Sequence, residues 1–263
     1  MIKTSVSKIE ELFHEIGLCS GETVLVFSNA ASLGLTENGL EGIYQAFKNI
    51  LGPDGTLVVP TFTFSFCNGQ EFDVTNTKSI CGAFTNYVPT IANAIRSVHG
   101  NHSFAAIGAR AKEALITTDK SSFGSGSALT SMLAMNAKVL LLGVIHNTYI
   151  HYVEKKFNVE YRYDKTFTGI IRQGERTYQD TFDFYVRKLG VEGTSTEDRA
   201  PQRNLFFGTS ACKTIEYGYG THRLHRASDF CEFMLSELNK DPLFLVDKTK
   251  YFQSLTKDNN EQA

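Results

Sequence analysis

Lys138-Val139-Leu140-Leu141-Leu142-Gly143-Val144-Ile145-His146-Asn147-Thr148-Tyr149-Ile150-His151-Tyr152-Val153-Glu154 is the stretch that decides the fold class. Residues 138–144 form an almost unbroken apolar run. Such a run reads as a strand buried on both faces. Asn147 or Thr148 can cap the segment that follows, and a helix is expected over about 148–157. A buried strand that leads straight into a helix is the βα step of an α/β protein.

The same alternation appears upstream. Residues 23–27 read as a buried strand, followed by the small polar loop Ser28-Asn29-Ala30-Ala31-Ser32-Leu33-Gly34. Thr36 is the expected cap of a helix whose apolar face carries Leu40, Ile43, Tyr44, Phe47 and Leu51. Gly52-Pro53-Asp54-Gly55 is a turn, and residues 56–59 are a short strand closed by Pro60. Before all of these, Ser7 and Glu10 have capping-box spacing. Ile9, Leu12, Phe13 and Ile16 then share one helix face, with Gly17 as the stop.

Downstream, helices are expected over 88–97, 127–135 and 228–238, and a strand over 103–107. Residues 166–171 and 177–185 read as a strand pair joined near Gly174, added antiparallel to the sheet. Residues 190–204 are polar and read as a surface loop. The last eight residues are expected to fray. No repeat, low-complexity linker or domain boundary interrupts the chain. The expected fold is α/β: a single compact domain over residues 1–263, with a mixed β-sheet flanked by helices.

Composition limits the functions open to this fold. A hydrophobic fraction of 42% supports a packed core, and 21% charged residues exclude a disordered polyelectrolyte. The formal charge of -2, with Lys and Arg scattered, gives no basic footprint for nucleic acid or an anionic membrane. Five cysteines (Cys19, Cys67, Cys81, Cys212, Cys231) are an odd number without CxxC spacing. That argues against a disulfide framework and a zinc ribbon, and for a reducing compartment. The N-terminal segment lacks a signal-peptide h-region, and no apolar run reaches the ~18 residues of a membrane span. A cytoplasmic protein is the expectation.

Chemistry is expected beyond the end of the 138–144 strand, because sites in α/β sheets gather at strand C-termini. Thr148, His151 and Glu154 are spaced i, i+3, i+6, so they lie along one helix face. A carboxylate beside a histidine fixes its tautomer and raises its basicity, which suits proton abstraction near neutral pH. Spacing alone equally describes a solvated ion pair. Half of a carboxylate-bridged metal site is also conceivable, but no second such motif exists in the chain, so no metal is expected.

The segment Asn147-Thr148-Tyr149-Ile150-His151-Tyr152-Val153-Glu154 resembles the Asn-Thr-x-Leu-His-x-Ala-Glu segment of the aminoglycoside 3-N-acetyltransferase family. Residues 21–34 resemble that family's first strand and its Val-His-Ser-Ser-Leu-Ser-Ser-Leu-Gly loop. Gly55-Thr56-Leu57-Val58-Val59-Pro60-Thr61-Phe62 is similar to its Gly-Thr-Leu-x-x-Pro-Thr-Phe segment. Phe72-Asp73 with Thr77 and Gly82, residues 96–108 (Arg-Ser-x-His and onward), and Phe123-Gly124-Ser125-Gly126-Ser127 continue the likeness in the right order. It covers roughly residues 20–160 and is loose after 165. Departures include Phe27 for the family's His, Asn29 for its second Ser, Gly100 and Ala128 for prolines, and Val153 for Ala. They bear on the acceptor more than on the reaction.

The resemblance implies transfer of an acetyl group from acetyl-CoA to a primary amine, without a metal. His151 would be the catalytic base and Glu154 its partner. Thr148 and Asp73 would be substrate-side candidates, and Ser28, Asn29, Ser32 and Ser103 coenzyme A-side candidates. The strand-to-helix loop at 28–34 offers backbone N–H groups to an anion or amide, and is equally an ordinary tight turn. His99 and His102 are expected to be structural or peripheral. His222 and His225 are expected to be solvated with Arg223 and Arg226, or to meet coenzyme A phosphates. Neither the Arg/Gln-x-x-Gly-x-Gly/Ala loop nor the hexapeptide repeats of other acetyltransferases are present.

The expected partners are coenzyme A and a small-molecule amino-sugar acceptor, with no nucleic acid and no membrane; a homodimer is left open. A polycationic acceptor calls for a surplus of carboxylates, whereas this chain has 28 acidic against 26 basic residues. The expected acceptor is therefore a nucleotide-linked amino sugar of surface polysaccharide synthesis. A true aminoglycoside is the alternative, and an inactive coenzyme A-binding relative is a third reading.

Overall fold

The computed structural model describes residues 2–195 and 197–261. Strand β1 (Lys3–Thr4) precedes α1 (Val6–Ile16) and β2 (Thr23–Ser28). A 3-10 turn (Ala30–Leu33), β3 (Leu35–Thr36), α2 (Gly39–Leu51) and β4 (Thr56–Pro60) follow. Next come β5 (Phe72–Asp73), α3 (Ala83–Tyr87), β6 (Ile95–Arg96), β7 (Phe104–Gly108), α4 (Ala111–Ala114) and α5 (Ala128–Ala134). The deciding stretch supplies β8 (Lys138–Leu142) and α6 (Tyr149–Phe157). The chain continues with β9 (Arg162–Gln173), β10 (Arg176–Arg187), α7 (Ala200–Phe207), β11 (Cys212–Tyr217), β12 (Gly220–Arg226), α8 (Ala227–Lys240) and α9 (Lys248–Glu261).

Seven strands form the main sheet in the order β11-β12-β8-β2-β4-β7-β6. Its centre is parallel, with β2 between β4 and β8. Both flanks are antiparallel. Because side chains alternate along a strand, Val24, Val26, Leu140 and Leu142 face α1 and α2. Leu25, Phe27, Val139 and Leu141 face α5, α6 and α8. Each fully buried Leu or Phe contributes about 1.5–3 kcal/mol. The two-sided burial explains why the central strands read as continuous apolar runs.

Local chemistry corrects several sequence readings. The cap of α1 is Ser5, whose Oγ accepts from Lys8 N–H at 3.2 Å; Ser7 instead bonds the Ser5 hydroxyl. Gly17 does end the helix, at φ 102°. Thr36 lies in β3, and α2 starts from Asn38 in the left-handed region. The helix expected over 88–97 is only a 3-10 turn, Val88–Thr90. Asn93 at φ 69° breaks the chain, and Ile95–Arg96 then pairs with β7.

The β9–β10 pair is antiparallel around Gly174 as expected, but it does not extend the main sheet. It forms a second sheet, β10-β9-β5, over its own cluster of Phe66, Phe72, Ile171 and Phe182. The polar segment 190–204 is not a simple surface loop: Thr194, Arg199 and Arg203 are buried, and α7 begins at Ala200. The expected fraying at the C-terminus meets a helix that reaches Glu261; residues 262 and 263 lie outside the described residues. All five cysteines are free. Among the described residues, no helix is long and apolar enough to cross a membrane.

Gly143 joins β8 to the site. Its φ is +67°, and an added Cβ would lie 2.1 Å from Ser32 Oγ and 2.3 Å from Ser32 Cβ. Gly143→Ala is expected to destabilise the protein by about 1–3 kcal/mol, through left-handed strain plus collision with the 28–34 loop. Thermal unfolding checks this, and an unchanged melting temperature would show that the loop yields freely.

Candidate active site

The C-terminal ends of β2, β4 and β8 open into one cleft of about 980 Å³. Ser28, Pro60 and Val144 come to it from these strand ends, and Thr148 and His151 from the start of α6. The far wall is the hairpin and the segment after it, including Arg162, Phe184, Arg187, Lys188, Glu197 and Arg199. Asn147 anchors the helix start. Its Oδ1 accepts from Tyr149 N–H at 3.0 Å, and its Nδ2 lies 3.2 Å from His225 Nε2.

Helical spacing places His151 one turn before Glu154, and Nδ1 lies 2.7 Å from Glu154 Oε2. The carboxylate is fully buried. Arg162 Nε is 2.8 Å from Oε2, Arg199 Nε is 3.6 Å from Oε1, and the Tyr161 hydroxyl donates to Oε1 at 3.2 Å. Burial alone would raise the Glu154 pKa. Arg199, the His151 hydrogen bond and Arg162 outweigh it and hold the carboxyl at about 2. An ionised carboxylate only accepts hydrogen bonds, so His151 must donate from Nδ1. Nε2 is then the nitrogen with the free lone pair, and 28% of the side chain remains exposed along the cleft.

The histidine is neutral. Burial lowers its pKa to about 4, Arg162 and Arg199 push the same way, and Glu154 pulls back only in part. The carboxylate thus fixes the tautomer and raises the basicity as its spacing suggests, but burial and the two arginines outweigh it. Two guanidinium groups already absorb its charge. The sequence does not mark Arg162, Arg199 or Tyr161 as partners of Glu154. Tyr161 and Arg162 follow α6 closely, but Arg199 lies 45 positions beyond Glu154 with no local pattern to join them.

The other candidates are spread out. Of Ser28, Asn29, Ser32 and Ser103, the cleft takes in Ser28 alone. Asn29 is exposed, and its N–H donates to the Leu142 carbonyl. Ser32 is buried against Gly143. The fully buried Ser103 hydroxyl sits between Thr61 and Arg96. Asp73 lies away from the lining, its carboxylate closing a turn by accepting from Thr75 N, Asn76 N and Asn76 Nδ2. His222 and His225 are buried rather than solvated, bonded to the carbonyls of Tyr217 and Arg226. His102, expected to be peripheral, lines the cleft. Among the described residues, no group of three His, Cys, Asp or Glu side chains is arranged to hold a metal.

A neutral, carboxylate-oriented imidazole in a cleft at the strand ends has the geometry of a proton acceptor. The chain belongs to the aminoglycoside 3-N-acetyltransferase family, whose model matches residues 25–239. Aminoglycoside N(3)-acetyltransferase IV of Salmonella sp is 27% identical over 240 residues, covering 88% of this chain and 86% of that protein. The SPbeta prophage-derived aminoglycoside N(3')-acetyltransferase-like protein YokD of Bacillus subtilis (strain 168) is 26% identical over 212 residues, 71% of this chain and 77% of the relative. The solved structure of AAC-IIIb with CoASH superposes with a TM-score of 0.81 at 19% identity, covering 91% of this chain and 97% of that one. The protein is an acyl-CoA-dependent N-acetyltransferase with acetyl-CoA as co-substrate.

Because the folded-state pKa of His151 lies below 6.5, the base form is retained at neutral pH and is lost only as pH falls through that lower value. An NMR titration of the His151 ring is expected to show a midpoint well below 6.5, near 4. In Arg199→Met, Glu154 acts on the imidazole less opposed, and the midpoint is expected to rise. A wild-type midpoint at or above 6.5 would show that burial and the arginines together do not outweigh Glu154.

Proposed function

We propose that this enzyme acetylates an amine of an aminoglycoside, with His151 as general base and Glu154 as its orienting partner. The observation that carries the reading is the Nδ1–carboxylate bond of 2.7 Å, which leaves Nε2 as the proton acceptor on the cleft wall. Nε2 takes the amine proton as nitrogen attacks the thioester carbonyl, and Glu154 steadies the imidazolium. The proton then goes to the departing thiolate, so the base is regenerated without a covalent acyl-enzyme. Thr148 stands one turn before His151 on the same lining and is proposed to contact the acceptor.

The aminoglycoside replaces the nucleotide-linked amino sugar expected from charge balance. Support comes from the family description and from the relatives, which are named as aminoglycoside N(3)-acetyltransferases. The cleft lining, with Arg162, Arg187, Lys188 and Arg199 against Glu197, holds no surplus of carboxylates either, so the reading rests on the relatives and not on charge. Arg187 and Lys188, at the end of β10, suit the diphosphate of coenzyme A. The faces of Phe62, Phe64 and Phe184 suit sugar rings and ammonium groups. The intact pairing of His151 with Glu154 argues against an inactive coenzyme A-binding relative.

Thiol release from acetyl-CoA tests the reading against kanamycin-like and gentamicin-like drugs beside UDP- and dTDP-linked amino sugars. Efficient turnover of a drug is expected, and turnover confined to nucleotide sugars would overturn it. His151→Ala is expected to keep its fold and lose about 10²–10⁴-fold in turnover; a near wild-type rate would remove His151 from the mechanism. Glu154→Gln is expected to lose less in turnover but to melt earlier, because two buried guanidinium groups keep no anion. Dialysis against a chelator is expected to leave turnover unchanged, and recovery that depends on a divalent ion would contradict a metal-free reaction.

A further inference from the structure

His102 is 7% exposed and reaches the cleft through an aromatic enclosure. Its ring lies 4.6 Å from Phe184, 4.8 Å from Phe62, 4.8 Å from Phe123 and 5.6 Å from Phe64, centroid to centroid. Phe123 also touches His151, at 5.3 Å, so the two histidines stand one phenyl ring apart.

The hydrogen bonds around His102 determine its tautomer. The Ser122 hydroxyl lies 2.9 Å from the Asp183 carbonyl, which can only accept, so the single hydroxyl proton points there. Ser122 Oγ lies 2.8 Å from His102 Nδ1 and must therefore accept from it. The proton sits on Nδ1, and the lone pair on Nε2. Burial holds the imidazole neutral, and the neighbouring His99 and His151 add to that effect. Among the described residues, no protein donor reaches Nε2. A neutral acceptor atom walled by aromatic rings has the chemistry of a recognition site for an N–H⁺ or O–H donor.

We propose that His102 Nε2 accepts a hydrogen bond from a second amine or hydroxyl of the acceptor, while the surrounding phenyl rings cover the same group, so that His102 selects and orients the acceptor beside His151. This rests on the proposed function, since it assigns part of that cleft to the polyfunctional acceptor. The site is built for donors: a protonated amine gains both the lone pair and the ring faces. An acceptor lacking the second donor leaves Nε2 unpaired.

The test uses full-length enzyme, acetyl-CoA and the aminoglycoside that wild type acetylates best. His102→Phe keeps an aromatic ring but removes the lone pair. It is expected to raise the acceptor KM about 10–100-fold, with a smaller loss in kcat and the KM for acetyl-CoA little changed. His102→Gln can place an amide oxygen near the position of Nε2 and is expected to recover part of the loss. Calorimetric titration of the same drug into each variant gives affinity independently of turnover, and melting temperatures identify a variant that has not folded. An unchanged acceptor KM and affinity in folded His102→Phe overturns the proposal while leaving the aminoglycoside reading intact. A loss in the KM for acetyl-CoA instead assigns Nε2 to a donor amide and also overturns it. If wild type neither binds nor acetylates any aminoglycoside, both readings fail together.

Discussion

The site depends on one buried anion, the carboxylate of Glu154. Removing a carboxylate from water costs several kcal/mol even after relaxation, so it persists only where partners surround it. Its partners come from three separate places: His151 on the same helix, Tyr161 and Arg162 at the start of the hairpin, and Arg199 beyond it. The need to satisfy this charge draws the hairpin and the polar segment before α7 onto α6. In doing so it builds the far wall of the cleft. His151 and the far wall therefore meet at one buried carboxylate.

That carboxylate also separates what was legible in the sequence from what was not. β2, β4 and β8 are buried on both faces, and their apolar runs announced them. Residues 147–154 carry their partners one helical turn apart, so the His151–Glu154 contact followed from spacing. Arg199 carries no such mark. Its reason for burial is a carboxylate 45 positions away, and the intervening Gly, Ser, Thr and Asp residues have the composition of a solvated loop. The motifs legible in the sequence are loose after residue 165, although the family model runs on to 239, so no motif identified Arg199 either. The place of His102 in the cleft was illegible for a related reason: it is set by Phe62, Phe64, Phe123 and Phe184, which only the folded chain gathers.

The second sheet shows the same limit at the level of topology. Residues 166–171 and 177–185 told of two strands and a turn near Gly174, and both are present in longer strands, Arg162–Gln173 and Arg176–Arg187. Alternation does not say which edge a hairpin joins. Phe72, Ile171 and Phe182 are buried together with Phe66, and this small separate core fixes the hairpin on β5 rather than on the seven-stranded sheet. Phe184, on the same strand as Phe182, is then available to face the cleft and stack on Phe64 at 5.6 Å.

The charge count around Glu154 has a chemical consequence. One carboxylate faces two guanidinium groups and an imidazole, so the cluster stays net positive while His151 is neutral. Burial first lowers the proton affinity of His151, and this surplus lowers it further and makes the imidazolium costly. It also favours negative charge nearby, and acyl transfer places negative charge on the carbonyl oxygen as the amine attacks. The two effects oppose each other. A site that gave Glu154 fewer cations would hold a stronger base but a poorer environment for that oxygen. In the proposed reaction a weak base suffices, because an attacking amine becomes strongly acidic as its nitrogen bonds to carbon, and its proton would then pass readily to a neutral imidazole held in one tautomer.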